Sequence, residues 1–164
     1  MKPTIDIGTS SPKTTESANL RKRRSPGPLE KPAVGVEVVI FTVIDADLKV
    51  LLVKRSEDPF KGVWSLPGGL VRVRNTGDQG ENIDESAQRV IWETIGIKPG
   101  TCAIEQLYTF GKAGRDPRSR LISIAWTALI PPTNARSKSL TTTDDRRWFS
   151  ANEEAPWMLS LIHI

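Results

Sequence analysis

The sequence has only one cysteine, Cys102, and one histidine, His163, among its 164 residues. A single cysteine excludes an internal disulfide, and without cysteine or histidine clusters nothing indicates a zinc site. No apolar run approaches the ~20 residues of a membrane span, and the polar N-terminus lacks the apolar core of a signal peptide. We therefore expect a cytoplasmic protein with no membrane partner. We expect Cys102 to be a small buried group at the start of a strand.

The net charge of +4 is concentrated at one end of the sequence. Residues 1–32 carry seven basic and three acidic side chains, whereas the remaining residues carry 16 of each sign. The body of the protein therefore shows no electrostatic sign of nucleic-acid binding. The basic run from Arg21 to Arg24 could touch a phosphate backbone, although a solvated tail without a partner is the simpler interpretation.

The chain divides into a tail over residues 1–32 and a domain over residues 33–164. The tail is rich in Ser, Thr, Pro and basic residues, which predicts disorder because it cannot bury enough apolar surface. In the domain, hydrophobic patterning predicts a series of strands and a surface loop at 131–143. The strands are predicted over 34–44, 49–54, 63–66, 101–110, 121–129 and 146–149. A second helix is predicted from Trp157 onward, and the sequence leaves open whether the C-terminus is truncated.

A single helix is marked more clearly than any other element. Asn82 is a suitable N-cap, Glu85 completes a capping-box pattern, and Gly96 occupies a C-cap position. Apolar residues recur every four positions and predict a buried stripe on this helix. The stripe comprises Ile83, Ala87, Ile91 and Ile95. The order of strands around one helix predicts an α/β or α+β layered fold with a mixed sheet. We expect Tyr108 to lie in its core.

Carboxylates and glycines are arranged along residues 64–97 in a pattern that suits diphosphate chemistry. Pro67-Gly68-Gly69 precedes a loop, Glu81 lies eight residues before Arg89, and Glu93 lies four residues after it. Carboxylates one helical turn apart point from the same face and can share a cation such as Mg²⁺, which neutralises phosphate oxygens. A glycine turn lets the backbone approach a metal or ligand without a Cβ in the way. Taken singly, however, Arg89 and Glu93 would be an ordinary surface ion pair.

In combination these residues resemble the Nudix box, G-x5-E-x7-R-E-U-x-E-E-x-G-U, in which U is aliphatic. The resemblance implies an α/β/α sandwich with a mixed sheet and a nucleoside-diphosphate-linked ligand. It implies that Gly68, Glu81 and Glu93 contact Mg²⁺, that Gly69 is the first glycine of the box, and that both glycines are candidate ligand-binding residues. It also implies that Arg89 orients the glutamates, which makes Glu81, Arg89 and Glu93 the candidate catalytic residues.

Three departures from the box favour weakened or lost catalysis. Val90 and Thr94 occupy positions where the box has glutamates, and eleven residues separate Gly69 from Glu81 where the box has five. A magnesium ion needs several oxygen ligands, so binding of Mg²⁺ is expected to be weak. We therefore expect a domain that binds a ligand such as ADP-ribose and hydrolyses it poorly. An active Mg²⁺-dependent pyrophosphohydrolase, and a regulatory fragment that contacts nucleic acid through the basic tail, remain as alternatives.

The region after the box narrows the resemblance to one Nudix branch. Tyr108-Thr109-Phe110-Gly111 followed by Arg115 and Arg118 resembles the branch of ADP-ribose pyrophosphatases and Nudix-related transcriptional regulators of NAD metabolism. No winged-helix segment follows in this sequence. Arg115 and Arg118 are candidate ligand-binding residues because guanidinium groups suit phosphate, although Asp116 could pair with one of them instead. The resemblance also raises a homodimer as a candidate assembly, which the sequence does not decide.

Overall fold

A computed structural model describes residues 31–73, 80–132 and 142–152 of the chain. In this part the chain forms seven strands and one helix. The strands are β1 (Ala33–Ile44), β2 (Asp47–Lys54), β3 (Trp64–Ser65), β4 (Gly68–Leu70), β5 (Ile104–Phe110), β6 (Leu121–Leu129) and β7 (Arg146–Ser150), and the helix α1 (Ile83–Ile95) lies between β4 and β5. Residues 1–30 of the expected tail, residues 133–141 of the expected surface loop and the expected helix after Trp157 fall outside the described residues.

The strands form one mixed sheet, as the sequence predicts. Its central order is β3-β2-β1-β6-β5, with β4 paired to β1 and β7 paired to β2. β1 and β6 run parallel over nine residue pairs, from Ala33 with Leu121 to Phe41 with Leu129. The other pairings are antiparallel, including the β1–β2 hairpin, whose turn places Asp45 and Ala46 at positive φ. β1 is therefore covered by strands along its length and forms the centre of the domain.

Helix α1 begins and ends where its capping residues predict. The Glu85 carboxylate accepts a hydrogen bond from the backbone N–H of Asn82, at 2.8 Å. Gly96 adopts the left-handed conformation at φ 71°, and its N–H donates to the carbonyl of Trp92 at 2.8 Å. A glycine ends the helix here because a side chain at this φ would be strained.

The two faces of the sheet carry separate hydrophobic clusters. One cluster joins α1 to the sheet through Ala87, Val90 and Ile91 of the helix and Val36 and Val38 of β1. The second cluster lies around Val50, Leu52 and Leu66, with Val39 and Phe41 of β1 packed against it. Alternate residues of β1 thus serve opposite faces, as the pleat of a strand requires. Among the described residues, no helix is long and apolar enough to cross a membrane.

Several local predictions were wrong. Ile83 is 41% exposed at the first turn of α1, so the buried apolar stripe of the helix starts at Ala87. Tyr108 is 60% exposed, because β5 is at the edge of the sheet, and it contacts the ring of Phe110 edge-on. Cys102 is only half-buried and precedes β5, although this burial still raises the pKa of its thiol. Gly68–Leu70 forms a short strand, whereas the sequence predicted only a turn.

Candidate functional site

Arg89 is the centre of the cluster that the box pattern predicts. It projects from the middle of α1 and donates two parallel hydrogen bonds to Glu81, Nε to Oε2 at 2.8 Å and Nη2 to Oε1 at 2.7 Å. Its Nη1 donates to Glu93 Oε2 at 3.0 Å, one turn further along the helix. Such a planar fork fixes a carboxylate in direction as well as distance. The structure therefore brings Glu81, Arg89 and Glu93 together.

Arg72 is a second cation in this cluster, and the sequence pattern gave it no role. Its Nη2 donates to Glu93 Oε1 at 2.7 Å, and its backbone N–H donates to Glu81 Oε1 at 2.7 Å. Each of the four carboxylate oxygens of Glu81 and Glu93 therefore accepts at least one hydrogen bond. Glycine at position 80, where φ is positive, permits the close approach of Arg72 to Glu81. A Cβ at Gly80 would lie 2.5 Å from the Arg72 carbonyl oxygen.

The hydrogen bonds from Arg89 lower the pKa of Glu81 to about 2, with the Arg72 backbone N–H adding to the effect. Reciprocally, Glu81 and then Glu93 raise the pKa of Arg89. Glu81 is therefore a fixed, ionised carboxylate at neutral pH. A group with this pKa is poorly suited to accept a proton from water, since a good general base has a pKa near the working pH.

Gly68 and Gly69 begin β4, and we call this pair the glycine turn. The glycine turn lies directly beside the cluster. Arg89 Nη2 also donates to the Leu70 carbonyl at 3.1 Å, which ties α1 to β4. A Cβ added at Gly69 would lie 3.8 Å from Arg89 Nη1, so the turn and the guanidinium are in contact distance of each other. Gly68 is more constrained, because its Cβ would lie 2.7 Å from the Val36 carbonyl oxygen and 3.1 Å from Glu37 Cγ.

The two positions that depart from the box differ in their surroundings. Val90 is 3% exposed and belongs to the cluster between α1 and the sheet. Thr94 is half-buried, and its backbone carbonyl accepts a hydrogen bond from the Arg146 guanidinium of β7. At position 90 the chain therefore uses an apolar packing contact where the box has a carboxylate.

A cleft of about 490 Å³ opens beside the glycine turn. Its walls come from β1, β4 and β6 and from the segment after β2, and they include both glycines of the turn. Three basic residues, Lys54, Arg55 and Arg118, line it, together with the exposed Glu57. Cavities of this size are typical of small-molecule sites in proteins. The cleft is therefore the candidate ligand site, and Gly69 and Leu70 in its lining are also the residues that contact Arg89 of the arginine–glutamate cluster.

The two downstream arginines have different environments. Arg118 lines the cleft and grips Asp116 with Nε to Oδ1 at 3.0 Å and Nη2 to Oδ2 at 2.6 Å, the pairing that the sequence left as an alternative. This contact lowers the pKa of Asp116. Arg115 is only 5% exposed, donates to the Ser123 hydroxyl and lies 5.6 Å from the Phe110 ring centroid. Arg115 is thus an interior residue.

Mg²⁺ fits poorly to the donor set of this cluster. The described residues contain no group of three or more Asp, Glu, His or Cys side chains arranged to hold a metal ion. The carboxylates of Glu81 and Glu93 face two arginines, whereas Mg²⁺ demands several oxygen ligands in near-octahedral geometry.

The fold and the box together define a Nudix domain. Residues 34–163 match the family model for the NUDIX domain, which covers most of the chain, and the chain belongs to this family. Nudix hydrolases generally use divalent metals such as Mg²⁺. Within the family, the chain falls in the branch of ADP-ribose pyrophosphatases and Nudix-related regulators.

Two curated relatives represent this branch. The chain is 36% identical over 99 residues to the ADPR responsive transcriptional repressor NtrR of Acinetobacter baylyi, which covers 60% of this chain and 37% of the repressor. It is 38% identical over 95 residues to the ADP-ribose pyrophosphatase of Methanocaldococcus jannaschii, which covers 58% of this chain and 49% of the enzyme. The matches thus span half or less of the length of these relatives.

Solved structures of a Nudix-related protein are also similar to this chain. NrtR of Shewanella oneidensis superposes with a TM-score of 0.60 at 35% identity, covering 72% of this chain and 52% of NrtR. The NUDIX domain of that protein in complex with ADP ribose superposes with a TM-score of 0.58 at 32% identity, covering 78% and 79% of the two chains.

Proposed function

We propose that this domain binds a nucleoside-diphosphate-linked ligand such as ADP-ribose in the cleft and hydrolyses it weakly or not at all. Two features of the domain support this proposal: it has a cleft of a size suited to a small ligand, and two of the box glutamates are replaced by Val90 and Thr94. The cleft adjoins the glycine turn, whereas the carboxylates beside it are held by Arg72 and Arg89.

The charge of the cleft supports an anionic ligand. Lys54, Arg55 and Arg118 contribute basic groups, of which Arg118 is already held by Asp116 and Arg55 donates from Nε to the Pro59 carbonyl at 3.0 Å. These contacts leave other N–H groups on each guanidinium for phosphate oxygens. The ADP-ribose complex of the related NUDIX domain and the name of the M. jannaschii enzyme indicate which diphosphate to test first.

The acidic cluster supports weak catalysis. Removing one electrostatic group from an active site commonly lowers the rate by roughly 10²–10³, and two box glutamates are replaced here. Val90 cannot supply an oxygen, and its side chain is buried in the cluster between α1 and the sheet. The domain would then retain binding while losing most of the hydrolysis.

Binding and turnover should be measured on the same protein. Calorimetry with ADP-ribose, in EDTA and in Mg²⁺, measures affinity, and chromatography measures release of AMP. We expect binding in both conditions and little AMP. Rapid AMP release that needs Mg²⁺ and is abolished by Glu93→Gln would instead identify an active pyrophosphohydrolase. Absence of binding would contradict the proposal.

The basic tail supports a separate test for nucleic acid, and its residues 1–30 fall outside the described part. A DNA mobility shift that weakens with salt and disappears on deletion of residues 1–32 would promote the regulatory alternative. Solution mass measurements with and without ADP-ribose would determine whether a homodimer forms.

A further inference from the structure

Glu37 is a buried carboxylate beneath the glycine turn, and neither the box nor the proposed function so far uses it. It lies in the middle of β1, is 2% exposed and lines the cleft. Neither of its carboxylate oxygens has a well-formed hydrogen bond within the described residues. Buried polar groups in proteins are nearly always hydrogen-bonded, so an orphaned carboxylate at a cleft indicates a missing partner.

Two polar side chains, Ser123 and Arg115, act on Glu37. Burial raises the pKa of Glu37, while Ser123 and the positive charge of Arg115 act in the opposite direction. Ser123 also lines the cleft, and its hydroxyl accepts a hydrogen bond from Arg115. Arg115 itself keeps Nε and Nη1 without partners among the described residues. Glu37, Ser123 and Arg115 thus form an incompletely satisfied polar group, which we call the floor cluster.

The glycine turn keeps space open above this cluster. Because a Cβ at Gly68 would lie 3.1 Å from Glu37 Cγ, a larger residue there would push on the Glu37 side chain. Gly35, which precedes Glu37 on the same face of β1, also lines the cleft. Gly35 and Gly68 therefore contribute no side chain to the cover of the Glu37 carboxylate, which is buried in the free protein, and a ligand must displace the rest of that cover to reach it.

The floor cluster and the basic residues divide the cleft by charge. The phosphates of a diphosphate ligand belong near Lys54, Arg55 and Arg118, because a carboxylate such as Glu37 would repel them. The part of the ligand that reaches Glu37 must therefore carry no negative charge and must donate hydrogen bonds. In a nucleoside-diphosphate sugar, the hydroxyl pairs of the riboses meet this requirement.

We propose that Glu37 is a specificity-determining residue that binds the vicinal diol of a ribose in the ligand, with Arg115 and Ser123 as positioning residues. Two adjacent hydroxyls can donate to the two carboxylate oxygens at once, and acidic side chains bind ribose hydroxyls in this way in dinucleotide-binding folds. An adenine edge fits less well, since its amino group stands next to a ring nitrogen that would face the second oxygen as another acceptor. This inference rests on the proposed function.

The test combines one substitution with two ligand analogues. Calorimetry would compare wild type and Glu37→Gln with three ligands: ADP-ribose, ADP, which lacks the terminal ribose, and an ADP-ribose analogue without the adenosine 2′-hydroxyl. Glu105→Gln is the matched control, because it removes the same charge from an exposed position of another strand, β5, outside the cleft. Melting curves would verify that each variant is folded.

We expect Glu37→Gln to weaken ADP-ribose binding by about tenfold or more, as for loss of a hydrogen bond to a charged group, and Glu105→Gln to leave it within about twofold. The effect of Glu37→Gln should vanish for the analogue that lacks the relevant diol, which identifies the ribose. An equal effect with both analogues, or no effect with ADP-ribose, would overturn the inference.

Two further outcomes are measured on wild type alone, so they are informative even if Glu37→Gln does not fold. If wild type binds both analogues as tightly as ADP-ribose, no diol is recognised and the inference is wrong. If wild type binds none of the three ligands, the proposed function fails and the inference falls with it. If the inference fails and the proposed function holds, wild type binds ADP-ribose and Glu37→Gln binds it equally well. This result differs from failure of the proposed function, in which wild type does not bind.

Discussion

Arg89 and Glu81 are joined by two parallel hydrogen bonds of 2.8 and 2.7 Å, although the six-residue insertion in the box lies between Gly69 and Glu81. The longer loop therefore does not separate the two residues. Because Arg89 also donates to Glu93 and to the Leu70 carbonyl, it links the loop, the helix and β4. The pair is mostly shielded from solvent, so its geometry contributes more than an exposed ion pair would.

Replacing Arg89 by lysine should destabilise the domain. Lysine keeps the charge but cannot make the planar fork to Glu81 and at the same time donate to the Leu70 carbonyl and to Glu93 Oε2. We expect a loss of about 1–3 kcal/mol in the free energy of unfolding, measured by urea denaturation. Arg72→Lys is the control, because the Arg72 side chain is exposed and its pair should contribute less than about 1 kcal/mol. Equal losses in both variants would contradict this account.

Acid should remove the stabilising contribution of Glu81. Its pKa is about 2 in the folded protein against 4.5 for the free group, so its contribution is present above pH 4.5 and is lost as the pH falls toward 2. The upper bound is about 3 kcal/mol, which solvent screening reduces. We expect the difference in unfolding free energy between wild type and Glu81→Gln to shrink between pH 5 and about pH 2. A difference that stays constant over this range would exclude the pairing as its source.

Glu37→Gln should show the opposite dependence on pH. Because burial raises the pKa of Glu37, ionisation of this group opposes folding above the unfolded value of 4.5. In the absence of ligand, the variant should therefore be as stable as wild type or more stable at pH 7, and this advantage should fade below pH 4.5. Urea denaturation at both pH values measures this, and a marked destabilisation at pH 7 would show that Glu37 serves the fold.

Restoring the two box carboxylates should lower the free energy of unfolding more at position 90 than at position 94. Val90→Glu places a carboxylate among core residues and should lower the free energy of unfolding by about 2–5 kcal/mol, whereas Thr94→Glu at a half-buried position should lower it by less than about 1 kcal/mol. Under conditions where the double variant is folded, AMP release from ADP-ribose should exceed that of wild type. Val90→Thr, similar in shape and uncharged, is the control for packing.

Local spacing predicted the helix and the pair of Arg89 with Glu93, whereas the place of Glu81 beside them was implied by the resemblance to the Nudix box. Asn82 and Gly96 fix the ends of α1, and Arg89 and Glu93 share a face because they are four residues apart. Tyr108 shows the limit of such reasoning. Alternation in a strand indicates two faces, but it does not tell that β5 is an edge strand with an uncovered face.

The cleft floor could not be predicted, because it depends on contacts between distant segments. Glu37, Gly68 and Ser123 come from β1, β4 and β6, and pairing of these strands brings them together. The available signal was a single acidic residue inside an otherwise apolar strand, Val36-Glu37-Val38. A charge in such a position is rarely buried without a purpose, but the strand alone does not name its partner.

The two glycines of the turn should respond differently to the addition of a methyl group. Gly68→Ala would place its Cβ 2.7 Å from the Val36 carbonyl oxygen and 3.1 Å from Glu37 Cγ, so the backbone of β1 or β4 must shift. At Gly69 the nearest atom would lie 3.8 Å away, an ordinary contact. We expect Gly68→Ala to lower stability by about 1–3 kcal/mol and to weaken ADP-ribose binding, because overpacking displaces the Glu37 carboxylate. Gly69→Ala should change both by little. Melting temperatures and calorimetry on the two variants measure this difference, and equal behaviour would mean that Gly68 does not hold open the space above Glu37.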